Sequence, residues 1–295
     1  MPKGSIELSI KNQWGDVDCE ESEILTYITI TNTSSPTHTS PLPIARKSDR
    51  VGLEYTAHMN GMEIAGTEEK AVALDERSTV IETSAVIDNK KIPAWWATHV
   101  NAGEETSLEI QPSLNVEMSL AEVSFQMPFW KKSIDTSIAE KLSTDEPTTE
   151  EAYGKEVMEI RSMNAEWGEA DLHETPLDVT AQVYNPMTIP LVFTKIGYNV
   201  KMNGIELGTG ETNNSIKVSS GEEREIETRA IFDNEQIKKW WVTHLQNYEH
   251  SKLEIEFTGK IEFMDYSHEF PIYSYNDDVE TNILGFEETK SYGFL

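Results

Sequence analysis

The chain has 295 residues, 38% of them hydrophobic, and a formal net charge of −28 from 24 basic and 52 acidic residues. That length suits two domains of about 150 residues, each able to bury its own core, while the charge opposes binding to nucleic acid and anionic membranes, which needs clustered Lys and Arg. No run of about 18 apolar residues offers a membrane span, and the single cysteine, Cys19, excludes an intrachain disulfide.

The charge is even along the chain. Residues 1–150 carry 12 basic and 25 acidic groups, and 151–295 carry 12 and 27, so no acidic tail accounts for it. Such a surface fits a protein adapted to a salty cytoplasm, where salt screens the repulsion between carboxylates. Glu far exceeds Asp and Lys exceeds Arg, which makes the adaptation moderate. An ordinary acidic cytosolic protein is the alternative.

The N-terminus, Met1-Pro-Lys-Gly-Ser-Ile-Glu7, has no signal-peptide hydrophobic core, so a cytoplasmic location is expected. Trp14-Gly15 is followed by an acidic cluster that includes Asp16, Asp18 and Glu20. An Asp-x-Asp-x-Glu run can hold a hard cation through oxygen ligands, but it lacks the central Gly and distal Glu of an EF-hand loop. A solvated hairpin turn is the favoured reading. Cys19 sits among these carboxylates, which raise rather than lower a thiol pKa, so a reactive thiolate is not expected.

Ile24, Thr26, Ile28 and Ile30 alternate with more polar residues, the period-2 pattern of a half-buried antiparallel strand. The stretch Thr33–Pro43 reads as a surface connection. Asn60-Gly61 predicts a type I′ hairpin joining Val51–Met59 to the segment after it, since both central residues need positive φ. Asp88 or Asn89 can cap a helix. Ile92, Trp95, Trp96, His99 and Val100 then share one helical face, and Gly103 offers a stop. Leu108-Glu-Ile110 resumes the strand pattern, and a polar stretch, Leu142–Glu151, reads as a mobile linker.

These features then recur. Trp14-Gly15 returns as Trp167-Gly168, Asn32 as Asn185, Met59-Asn-Gly61 as Met202-Asn-Gly204, and Trp95-Trp96-x-Thr98-His99 as Trp240-Trp241-x-Thr243-His244. Ile134, Thr136 and Ile138 return as Val279, Thr281 and Ile283. Leu177, Val179, Ala181 and Val183 take the place of the first alternating strand. The offsets are 153, 143 and 145 in turn, so the indels lie in the connections between strands. The chain is a tandem duplication. About seven strands per copy, plus one short helix, is the arithmetic of a β-sandwich. The expected boundaries are a first sandwich at 1–132, a linker at 133–154, a second sandwich at 155–276 and a tail at 277–295.

Each chemically suggestive group has a plainer reading. The indole pairs are expected to pack inward, as core or core edge, although adjacent residues on a helix point about 100° apart and leave room for one of each pair to be partly exposed; an exposed aromatic surface for clients or sugars is the alternative. His99 and His244 are expected to be structural histidines at a helix end, each with a hydrogen bond to backbone. Copy 2 adds His250 and His268, with no His-Glu-x-x-His spacing. Gly208-Thr-Gly210 reads as a turn, because no Gly-Lys-Ser/Thr follows it. Asn32-Thr-Ser and Asn213-Asn-Ser match glycosylation sequons that a cytoplasmic chain does not use. No Gly-x-Ser-x-Gly occurs, and no Ser/His/Asp set recurs between copies, so no catalytic, cofactor-binding or metal residues are assigned.

Asn185-Pro186, Pro190-Leu191, the Asn-Gly turn, Gly208, Gly210 and the helix before a final Leu-x-Ile strand resemble the water stress and hypersensitive response (WHy) domain. That domain belongs to class-2 late embryogenesis abundant proteins, and the tandem form resembles the archaeal type. The likeness covers about residues 5–130 and 157–275. Copy 1 departs from it: Thr33 follows Asn32, and the Pro-Leu element comes later, at Pro41-Leu42-Pro43. The resemblance implies a fibronectin-III-like or immunoglobulin-like sandwich, and a non-catalytic role in tolerance of desiccation and osmotic stress. Its implied partners are labile client proteins, and the expected state is a monomer without cofactor. A tandem interaction module, either an adaptor or a cell-surface component, is the other reading.

Overall fold

The computed structural model describes residues 4–32, 50–67, 71–73, 78–118, 121–126, 130–152, 155–212, 215–263, 266–285 and 288–294. The connection Thr33–Pro43, with its Pro-Leu element, and Asn213-Asn214 lie outside them. The fold is all-β and antiparallel, with three short helices among the described residues. The chain divides into two compact units. Unit 1 comprises Met1–Lys91, Thr106–Ile134 and Asn282–Leu295, and unit 2 comprises Ile92–Glu105 and Asp135–Thr281.

Unit 1 is built from β1 (Gly4–Val17), β2 (Glu21–Asn32), β3 (Arg50–Met59), β4 (Met62–Thr67), β5 (Val72–Ala73), β6 (Ser78–Asp88), β7 (Glu105–Met118), β8 (Ala121–Gln126) and β9 (Trp130–Asp135). The last strand of the chain, β19 (Glu288–Phe294), completes it. The pairing order is β19-β1-β2-β6-β4-β3-β7-β8, with β5 added to β3 and β9 to β7. The predicted alternation holds. Ile24, Thr26, Ile28 and Ile30 on β2 are buried, as are Ile81, Ala85 and Ile87 on β6. Asn60 and Gly61 have φ of 50° and 79°, the I′ geometry that Asn-Gly favours. Between β3 and β4 the register shifts at Ala57/His58, a bulge that increases the local twist.

Unit 2 contains α1 (Ile92–Asn101), α2 (Ile138–Leu142) and α3 (Asn234–Gln246). Its strands are β10 (Thr148–Ala152), β11 (Lys155–Trp167), β12 (Glu174–Tyr184), β13 (Leu191–Met202), β14 (Ile205–Thr212), β15 (Ile216–Val218), β16 (Glu223–Asp233), β17 (His250–Phe263) and β18 (Tyr266–Glu280). They form two sheets, β10-β11-β12-β16 and β14-β13-β17-β18, the second with β15 on β13. Ile160, Val179 and Ile226 of the first sheet and Phe193, Ile196 and Phe257 of the second line one small core cavity of about 30 Å³, so the sheets pack face to face. The Asn203-Gly204 turn repeats the positive φ values, 50° and 75°. The bulge recurs as well, at Val200/Lys201.

Two segments differ from their sequence reading. Residues 133–154, read as a linker with Leu142–Glu151 mobile, carry the end of β9, then α2 and β10. Ile138 and Leu142 are fully buried and β10 pairs with β11, so two apolar anchors outweigh a polar composition. Residues 277–295, read as a tail, carry the end of β18 and the whole of β19, which pairs with β1 from Gly4↔Phe294 to Ile10↔Glu288.

Gly208-Thr-Gly210 also differs, because it lies inside β14 rather than in a turn. A Cβ on Gly208 would collide with the Ile231 carbonyl oxygen, and one on Gly210 would lie 2.5 Å from the Tyr198 hydroxyl. That hydroxyl accepts a hydrogen bond from Ile231 N at 2.9 Å. These glycines therefore allow close approach, the other common reason for Gly within a strand.

Candidate functional site

The repeated Trp-Trp stretch forms the most constructed site in unit 2, because α1 and α3 both lie there. Asp233 opens α3 as predicted, its carboxylate accepting from Glu235 N at 2.9 Å. In copy 1, Asn89–Lys91 forms a 3-10 turn first, and Asp88 accepts from Lys90 N at 3.0 Å. All four indoles are buried, with 3%, 0%, 1% and 0% exposure for Trp95, Trp96, Trp240 and Trp241. The pairs therefore pack inward as expected, and neither indole of a pair reaches the surface. The 100° between neighbouring side chains is real, but the two helices cover each other's second face. Trp95 meets Trp241 at 5.1 Å and Trp96 meets Trp240 at 5.6 Å, both edge to face, a favoured geometry for aromatic pairs. Trp167 joins from β11, 6.2 Å from Trp96 and 5.1 Å from Phe232.

A polar chain runs beside each indole pair. In copy 1, Thr136 Oγ1 donates to Glu104 Oε1 at 2.8 Å and lies 3.0 Å from His99 Nε2. A hydroxyl has one proton to give. With it directed at Glu104, His99 Nε2 must be the donor to Thr136. The Glu104 carboxyl also accepts from Ile138 N and Ala139 N, at 2.6 and 2.9 Å, and so closes the start of α2. Copy 2 repeats the order. Thr281 Oγ1 donates to Glu249 Oε2 at 3.1 Å and accepts from His244 Nε2 at 2.8 Å. His244 Nδ1 then accepts from Ser251 Oγ at 2.7 Å, and Ser251 accepts from Trp240 Nε1 at 2.8 Å.

Nε2 thus carries a proton in both imidazoles, and in His244 the accepting Nδ1 makes the ring the neutral Nε2–H tautomer. Burial lowers each from the ordinary 6.5 to about 4; for His99 the carboxylates of Glu104 and Asp135 oppose that shift only in part, and for His244 the neighbouring His250 adds to it. A hydroxyl between imidazole and carboxyl is the wrong order for a nucleophilic triad, where imidazole must stand between the other two. The arrangement rigidifies a helix end. Glu104 and Glu249 were not singled out in the sequence. Both are buried with positive φ, 63° and 61°, and their shared offset of 145, that of His99/His244 and Thr136/Thr281, was the available signal.

The acidic cluster resolves into a turn that both copies share. Asp18 Oδ1 accepts from Glu20 N and Glu21 N at 2.7 and 2.9 Å, and Asp171 Oδ1 accepts from His173 N and Glu174 N at 2.7 and 2.8 Å. These backbone donors hold both carboxyls below the usual carboxylate range. Each turn is then gripped by a buried asparagine from the helix start. Asn89 bonds Ser22 Oγ and Asp18 O, and Asn234 bonds Thr175 Oγ1 and Asp171 O. So the Asp-Asn pair before each helical segment, Asp88-Asn89 and Asp233-Asn234, divides its work: Asp233 caps a helix, and both asparagines lock the neighbouring turn.

Asn185 acts in the same way, its Nδ2 donating to Ile189 O and Val218 O while Oδ1 accepts from Met187 N. Cys19 is exposed. His250 is half-exposed, beside Asp278 and Glu280, and the side chain of His268 lies outside the described residues. Among the described residues, no three His, Cys, Asp or Glu side chains converge on a metal-sized site, and no helix is long and apolar enough to cross a membrane.

The second unit carries the comparison with known proteins. Residues 180–272 match the family model described as late embryogenesis abundant protein. The match runs from β12 into β18 and so includes Asn185, the Asn203-Gly204 hairpin and α3. Among solved structures, a protein from Archaeoglobus fulgidus is 24% identical, covering 42% of this chain and 98% of its own, with a TM-score of 0.40. AT1g01470 from Arabidopsis thaliana is 18% identical, covering 45% of this chain and 81% of its own, with a TM-score of 0.30. A calcium-binding mutant of β-glucuronidase 2 from Bacteroides uniformis is 8% identical, covering 87% of this chain and 26% of its own, with a TM-score of 0.26. No curated protein matches the chain.

Proposed function

We propose that this is a non-catalytic, stress-protective protein built from two tandem WHy-type domains of the late embryogenesis abundant class. The observation that carries the reading is the family match across the second sandwich. The duplication of the same motifs in copy 1 extends it to the whole chain. Its partners are labile client proteins, bound weakly and without a defined pocket, and it works in the cytoplasm as a monomer.

The physical basis is the surface. The net charge of −28 is spread over both halves, and carboxylates such as those of Glu222, Glu223 and Glu225 stand exposed on the sheet edges and turns. Carboxylates hold water and counterions strongly, and like-charged surfaces keep neighbouring proteins apart as water is lost. The salt-adapted setting rests on the same charge, and the archaeal type on the tandem form of the family resemblance. Meanwhile the histidines and hydroxyls that could suggest chemistry are engaged with one another inside unit 2.

The test is to dry or freeze a labile enzyme with the protein and assay recovered activity. Protection that exceeds an equal mass of albumin is the expected result. Protection equal to albumin removes the reading, and a saturable partner recovered instead would favour the adaptor alternative.

A further inference from the structure

Unit 1 is completed by a segment that is distant in sequence. Its first parts end at Ile134, and Asn282–Leu295 joins it only after all of Asp135–Thr281 has been laid down in unit 2. That segment is not loosely attached. Ile283 is 2% exposed, and with Leu284 it lines the apolar cavity of about 30 Å³ shared with Ile24, Leu53 and Trp130. Lys132 Nζ donates to the Asn282 carbonyl. β19 then adds along seven residues of β1 and forms the edge of the sheet.

The other repeat does the same. Ile138 stands where Ile283 stands in its copy. It belongs to unit 2 and is fully buried there, with Thr136 beside it in the His99 network. Each unit is therefore finished by the C-terminal segment of the other repeat. Such a segment reaches its seat through a covalent connection, and an identical seat exists on every other copy of the chain. Closed and exchanged forms make the same contacts. Their balance is then set by protein concentration against the effective concentration of the tethered segment.

From this placement we infer that Asn282–Gly285 together with β19 form an exchangeable strap, and that a second copy of this chain is its partner, giving a dimer in which each strap completes the other molecule's unit 1. The closed monomer dominates at micromolar concentration, because tethered segments act at about millimolar effective concentration. Raising the protein concentration moves straps between chains.

The test uses the full chain carrying Cys19→Ser with Ser9→Cys and Thr289→Cys, two positions that face each other across β1 and β19. The reduced protein is equilibrated over a range of concentrations with gentle warming, and its mass is read by light scattering. It is then oxidised and the linked peptides are identified. The expected result is a 9–289 linkage found within chains at low concentration and between chains at high concentration. The dimer-to-monomer ratio should rise about tenfold for each tenfold rise in concentration, as mass action requires. Linkage within chains alone at every concentration overturns the exchange. Absence of the 9–289 linkage altogether overturns the seating of the strap on β1. A second measurement does not depend on the cysteine variant: on gentle warming, a labelled synthetic peptide of residues 282–295 in millimolar excess should be taken up saturably by the full chain, in the seat its own strap leaves, and no uptake also overturns the inference.

Discussion

Acidification reports directly on the two buried imidazoles. In the folded chain each has a pKa of about 4, against 6.5 ordinarily, with burial as the leading cause. A base whose pKa falls on folding contributes fully above the unfolded value, near pH 6.5, and its contribution is lost as pH falls toward the folded value. Between those limits the unfolded chain binds the extra protons, so the free energy of unfolding decreases with decreasing pH. At about 1.4 kcal/mol per unit, each histidine accounts for about 3 kcal/mol, and the pair for about 6, comparable with the whole stability of a typical domain. Acid also discharges a chain of net charge −28, and that relief of repulsion acts in the opposite direction. The informative quantity is therefore a difference. Urea unfolding is followed from about pH 7 to about pH 4.5 for the natural chain and for a His99→Gln/His244→Gln variant. The natural chain should lose several kcal/mol more than the variant over that range, whatever their stabilities at neutral pH. Parallel curves refute the argument, as would imidazole resonances that titrate near 6.5.

Three further outcomes are expected. Trp96→Ala removes a fully buried indole that touches Trp95, Trp167 and Trp240 and donates to Thr175 Oγ1, and it should cost about 3–5 kcal/mol in chemical denaturation; a loss below about 1 kcal/mol would mean that the helix pair is not a core. Gly208→Ala should destabilise by about 1–3 kcal/mol, because its Cβ meets backbone at Ile231 that cannot swing aside; a neutral Tm would show that β14 and β16 do not approach closely. Raising KCl to about 1 M, where the Debye length is about 3 Å, should increase Tm by several degrees, and a flat response would remove the salt-adapted reading.

Much of the fold could be read from residue order, because it depends on local physics. Alternation at Ile24–Ile30 and Leu177–Val183 marks strands wherever one face is buried. Asn60-Gly61 and Asn203-Gly204 specify a hairpin because few other pairs tolerate two positive φ angles. Asp233 before an apolar helical face announces a cap. The duplication added a check that single motifs lack: Asp18 and Asp171 form the same turn at corresponding positions. His99 and His244 were expected at a helix end bonded to backbone, whereas the structure sets them against the side chains of Thr136, Ser251 and Thr281, which residue order does not bring near.

What residue order could not convey was long-range. The exposure of an indole on an isolated helix is set by its angle, but in unit 2 a second helix covers it, so all four are buried. Glu104 looks like one acidic residue among 52 until the chain brings Thr136 and the start of α2 against it. Gly208 and Gly210 carry the local signature of a turn, and only the nearness of Ile231 and Tyr198 explains them in a strand. Residues 133–154 read as a linker, for the polar composition of Leu142–Glu151, and 277–295 as a tail. Two buried isoleucines, Ile138 and Ile283, decide otherwise, because an apolar anchor stabilises a segment only where a core stands ready to receive it.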